Sequence, residues 1–131
     1  MLALMAGTGF QTNQDPTEIH RLARSAIAQR RPLSAIYKGY DRLMCPHRLG
    51  WNREDERRLL SYQYGGESET GLSAPGSKDN WRCMALDQLN HVRVLEGPWH
   101  TAENRARPAT CIVRVELDVD DQPEGDWQNG Q

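Results

Sequence analysis

Only one stretch of this chain carries a sustained helical period, and it runs into a proline, which confines what the remainder can fold into. Asp15-Pro16-Thr17-Glu18 offers an N-cap acceptor, a proline at the first helical position and a glutamate three residues after the cap, the pattern of a capping box. Ile19, Leu22, Ala23, Ala26 and Ile27 then recur at helical spacing and make one apolar stripe, with Arg21, Arg24, Gln29 and Arg30 off it. The spacing predicts a helix over 16–31, because Pro32 disfavours helical geometry in the residue before it.

Beyond Pro32, short apolar runs alternate with Gly, Pro, Asn and Asp clusters, which is a strand and turn pattern. Strands are expected at 33–37, 42–46, 59–64, 81–86, 91–95 and 111–117. The tetrad Lys38-Gly39-Tyr40-Asp41 would join the first two as a hairpin, and 87–90 would turn the fourth into the fifth as another. One helix followed by about six strands predicts a mostly β, α+β domain: a small, strongly curved antiparallel sheet, open or closed into a barrel, with the helix over one end or face. The domain is expected over 15–117, behind a loose leader at 1–14 and ahead of a disordered acidic tail at 118–131. Residues 67–80 (ESETGLSAPGSKDN) read as a long flexible loop. No apolar run is long enough for a membrane span, and MLALMAG is too short and lacks the basic flank of a secretory signal, so a cytoplasmic protein is expected.

Charge is unevenly distributed. The net charge of −2 combines six acids and no Lys or Arg in residues 115–131 with a net +4 on the rest. The stretch from Arg21 to Arg58 holds ten cations against four acids, interleaved with Tyr37, Tyr40 and Trp51. Rings among cations suit a single-strand nucleic-acid surface. The same residues also suit a solvated helix face with Tyr37 in the core, and both readings stand at this point. The acidic tail can be a solubilising end, a competitor folding onto the basic groove or a partner-docking segment. Cys45, Cys83 and Cys111 are far apart and odd in number, so free thiols and no structural disulfide are expected. Cys45-Pro46-His47 supplies at most half of a tetrahedral metal site, and no metal or cofactor is expected. His20, His47, His91 and His100 show no catalytic spacing, and no nucleophile elbow, phosphate loop or carboxylate pair is present, so the chain reads as non-enzymatic.

Four segments, AIAQRRPLSAIYKG (26–39), RLMCPHRLGW (42–51), RRLLSYQ (57–63) and RCMALDQLNHVRVL (82–95), together resemble the WYL domain family. The resemblance spans roughly residues 19–100 and is a distributed pattern. It implies a Sm-like, SH3-type barrel found mostly in bacterial transcriptional regulators, with a basic groove associated with nucleic acid or nucleotide-like ligands. On that resemblance the ligand-facing positions are Tyr37, Arg42, His47 and Arg82, with Asp87 holding the barrel together. Departures weaken the transfer: the name-giving tripeptide falls on Arg57, Arg58 and Leu59, and two basic positions fall on Ala85 and Gln88. The family's usual winged helix-turn-helix has no counterpart among these residues, so operator binding by a recognition helix is not expected.

The expectation is a non-enzymatic sensing module that binds single-stranded nucleic acid or a nucleotide-type ligand, feeding a regulatory response. Arg42, Arg57, Arg58 and Arg82 would contact anions, and Tyr37 with His47 would stack or hydrogen-bond. The alternative is a protein-interaction module that has kept the barrel and lost the ligand site, with exposed strand edges open to a homodimer or a regulatory protein partner.

Overall fold

A computed structural model of the chain describes residues 14–103, 107, 108 and 110–121. Helix α1 spans Pro16–Gln29 and is capped as its sequence demands, with Asp15 Oδ1 accepting from the Thr17 amide at 2.8 Å and Pro16 in the first turn. It stops before residue 31: Arg30 turns left-handed (φ 52°), and the amides of Arg30 and Arg31 return to Ala26 and Ile27 carbonyls. Ile19, Ala23, Ala26 and Ile27 are buried, so the predicted stripe faces the core.

Six strands follow: β1 (Leu33–Tyr37), β2 (Tyr40–Trp51), β3 (Arg57–Gly66), β4 (Trp81–Ala85), β5 (Leu89–Val94) and β6 (Arg114–Asp118). Lys38 and Gly39 both take positive φ, the two-residue turn whose twist matches the flanking strands, and β1–β2 is the expected hairpin. Strand β2 is more than twice the expected length. It absorbs Pro46 at a register shift, and past that point its other residues pair with β6 along Arg48–Trp51. At Gly50 the backbones of β2 and β6 approach so closely that a Cβ would lie 2.2 Å from the Arg114 carbonyl oxygen.

The expected β4–β5 hairpin does not form. A 3-10 turn at Leu86–Gln88 buries Leu86 and sends β5 to β1, while β4 pairs with β3. All pairings are antiparallel, in the order β4-β3-β2-β1-β5 with β6 beside β2. The architecture is therefore α+β, mostly antiparallel sheet with one helix, and the sheet is not closed as the expected barrel would be. It is strongly curled, since its two outermost strands are joined by only three residues.

Successive side chains of a strand face opposite sides. Leu59 joins α1, Leu33, Met44, Leu49 and Val92 in the main core, while Leu60 turns to a smaller cluster with Tyr62, Trp81, Ala102 and Ile112. The smaller cluster is covered by the segment after β5, a strap with no regular structure at 95–103.

Other expectations are corrected here. Cys83 and Cys111 form a disulfide with their Cα atoms 6.0 Å apart, leaving Cys45 as the free, buried thiol. Their 28-residue separation gave no hint, because only the fold brings β4 under the C-terminal crossing. The 67–80 loop is ordered: Asn80, 2% exposed, holds Ser73 and Ala74 through three hydrogen bonds, and Tyr62 donates to the Ser77 carbonyl. Asp118 is buried, and Val119 packs into the main core from a 3-10 turn at Val119–Asp121, so the tail does not begin at 118. Residues 122–131 lie outside the described residues, as does the leader except Gln14, whose side chain bonds both polar groups of the Val92 backbone. No described helix is long and apolar enough to cross a membrane.

Candidate ligand cleft beside Trp51

The six residues singled out above fall into separate places. Tyr37, Arg57 and Arg58 converge on one cleft of about 520 Å³ between the β1–β2 turn, the start of β3 and the 3-10 turn after β4. Lys38, Asp87 and Gln88 line it with them. Tyr37 is placed by β1, where Leu33, Ala35 and Tyr37 share the buried face. Its hydroxyl accepts the Ala85 amide at 3.0 Å, which ties the end of β1 to the end of β4.

Arg57 leaves the start of β3 opposite Trp51, with its guanidinium 5.0 Å from the indole ring and 3.4 Å from Glu116. Arg114, opposite Trp51 on β6, places its guanidinium 4.0 Å from the same ring and also reaches Asp55 at 3.2 Å. Three adjacent strands thus carry the row Arg57, Trp51, Arg114. Arg58 pairs with exposed Glu56 at 3.2 Å, a contact worth little in water. Lys38 lies 5.6 Å from the Tyr37 ring, and no described carboxylate is within ion-pair distance of it.

Arg42 and Arg82 do not line this cleft. Arg42 is 3% exposed and donates to Gln63 Oε1 at 3.3 Å and to the Tyr37 carbonyl at 3.0 Å, with Tyr37 and Tyr40 rings beside its guanidinium. Burial lowers its pKa, and so desolvated a group is a structural cation in this state, not a surface anion contact. Arg82 donates to the Asp79 and Gly71 carbonyls at 2.8 and 3.0 Å and to Ser68 Oγ, gathering the 67–80 loop. Burial first and Arg42 second lower its pKa.

His47 sits elsewhere, under the strap. Its Nδ1–H donates to the Cys45 carbonyl at 2.8 Å, which leaves Nε2 to accept from the Thr101 hydroxyl at 3.0 Å. The Trp81 and Trp99 rings flank it, each with its centroid 4.8 Å away. Burial pushes its pKa down to about 4, so it is neutral near pH 7 and holds the strap to β2.

The acidic end already occupies part of the basic surface. Glu116 accepts from His20 at 2.8 Å and Arg24 at 2.7 Å, and Asp118 accepts from Arg48 and Arg107. Burial opposes the charge on both carboxylates, but their hydrogen bonds and these cations prevail and lower both pKa values. Reasoning from the sequence missed Arg114 as a neighbour of Trp51 and Glu116 as a partner of Arg57. Their outward alternation was visible, but the strand they would pair with was not. Among the described residues no cluster of three or more His, Cys, Asp or Glu suits a metal ion. Comparisons with protein-family models, curated proteins and solved structures return no match for this chain.

Proposed function

We propose that the chain is a non-catalytic binding module of the WYL-like kind, which takes a nucleotide-type ligand in the cleft beside Trp51. The observation that carries this reading is the convergence of Tyr37, Arg57 and Arg58, distant in sequence, on one cleft with Lys38. Lys38, Arg57 and Arg58 supply donors for a phosphate, and Tyr37 is the aromatic residue of the described lining, with the Trp51 ring 5.0 Å from the Arg57 guanidinium. Asp55, Glu56 and Asp87 share the lining, so positive and negative side chains balance. That balance favours a compact ligand with one phosphate group and hydroxyl or amino donors over a polynucleotide, whose repeated phosphates would meet the carboxylates.

The test is titration of labelled nucleoside monophosphates and single-stranded oligomers at about 50 and about 200 mM salt. The expected outcome is saturable mononucleotide binding that weakens about tenfold in Arg58→Ala, the loss of one charge-assisted hydrogen bond. No binding at the lower salt, or affinity indifferent to Arg57→Ala and Arg58→Ala, overturns the proposal.

The protein-interaction reading rests on one observation, Val113 and Val115 exposed at 52% and 44% on and beside the outer strand β6. Self-association that Val115→Lys abolishes, with no nucleotide binding, would favour it.

A further inference from the structure

A second cleft, of about 530 Å³, lies on the strap-covered side of the molecule and has the opposite chemistry. Its floor comes from the end of β3, where Tyr62 and Tyr64 project to the same side two residues apart. One wall is the 67–80 loop, shaped by buried Asn80, and the other is the strap at Trp99 to Glu103. The His100 ring stacks on Tyr64, with centroids 4.0 Å apart and planes within 15°. Trp99 adds a further ring to the lining.

Glu103 is the single charged residue among the described lining. Its amide donates to the Gly76 carbonyl at 2.9 Å, which fastens the strap to the loop. Its side chain lies against Gly76, where a Cβ would come within 2.7 Å of Glu103 Cγ, and Gly76 also has a φ of +88°. A glycine is needed at 76 for the carboxylate to occupy this rim. No described cation is within ion-pair distance of Glu103, and no described Lys or Arg lines the cleft.

Aromatic faces carry negative potential, and the Glu103 carboxylate, with no cation partner among the described residues, adds to it. An anion would be repelled, whereas a cation is attracted by the rings and the carboxylate together. We infer that this cleft between the 67–80 loop and the strap binds a small organic cation, an alkylammonium or guanidinium group, against the aromatic rings with Glu103 as counter-charge. The inference is independent of the nucleotide reading, since the two clefts share no residue.

The experiment is protein-observed NMR titration of the full chain with choline, with arginine amide and with 3,3-dimethyl-1-butanol, the neutral isostere of choline. Saturable shifts of the Trp99 indole and Tyr64 ring signals are expected for at least one cation, with dissociation constants on the order of millimolar. The preference between choline and arginine amide assigns the cation as methylated ammonium or guanidinium. The neutral isostere should bind about two- to fivefold more weakly, the share a cation–π contact supplies. Glu103 is exposed, so Glu103→Gln should keep the fold, confirmed by an unchanged amide spectrum, and weaken the cation by a similar factor. Asp87→Asn, in the other cleft, should leave cation binding unchanged. Absence of shifts for both cations, isostere binding as tight as choline, or indifference to Glu103→Gln overturns the inference.

Discussion

The two faces of the sheet are held by different means. On the helix-covered face, α1 lays an unbroken apolar stripe on Leu33, Met44, Leu49, Leu59 and Val92. On the other face a strap without regular structure covers Leu60, Tyr62 and Trp81 with little more than Ala102, and Ile112 from the segment before β6 completes the cluster. The first face is held by this packing, with polar ties from His20 and Arg24 to Glu116 at its margin. The second is held by the Cys83–Cys111 bridge, by the His47–Thr101 hydrogen bond and by the His100 amide on Cys45 Sγ. A segment that buries few side chains gains little from the hydrophobic effect, so covalent and polar ties must offset the entropy of ordering it. The aromatic cleft lies on the pinned face.

The contrast breaks if the faces respond alike to damage. Leu59→Ala, in the main core, should cost about 2–5 kcal/mol in urea unfolding, and Leu60→Ala less, because the strap can settle into the space. Equal losses would mean that the strap packs as tightly as the helix. Cys83→Ser should cost about 3 kcal/mol, with amide exchange rising through 99–103 and at Ile112 before it rises in α1. Uniform exchange would show one cooperative unit.

His47 sharpens the comparison through pH. Its pKa is about 4 folded against 6.5 for the free side chain, so the unfolded chain takes up a proton first as pH falls. The stability tied to neutral His47 is complete above about pH 6.5 and is lost as pH falls toward 4, by about 3 kcal/mol at most. His47→Gln should flatten that slope, whereas Glu116 and Asp118, with lowered pKa values, act at lower pH still. The smallest effect belongs to the helix face: Asp15→Ala should cost about 1 kcal/mol by loss of the N-cap, with no change in strap exchange.

The elements whose cause is local were readable in advance. Asp15-Pro16 set the start of α1, the Ile19 to Ile27 stripe set its buried face, and Lys38-Gly39 set the first hairpin. The errors lie where a distant partner decides. Leu86 was read into a β4–β5 hairpin, yet its burial turns the chain toward β1, and Asp118 was read as tail, yet Arg48 and Arg107 hold it inside. Among the site residues, Tyr37, Arg57 and Arg58 meet as a group. Arg42, Arg82 and His47 went to other work because burial and backbone carbonyls, invisible in a one-dimensional pattern, claim their polar atoms. The disulfide is of a kind that persists in oxidising surroundings, which the cytoplasmic expectation did not include.

Residue order alone dictated the helix, the first hairpin and the class, because caps, turns and hydrophobic period act over a few residues. Tertiary structure decided the strand order, the bridge, the pairing of acids with arginines and the two clefts, since each depends on which segments distant in the chain come within a few ångströms.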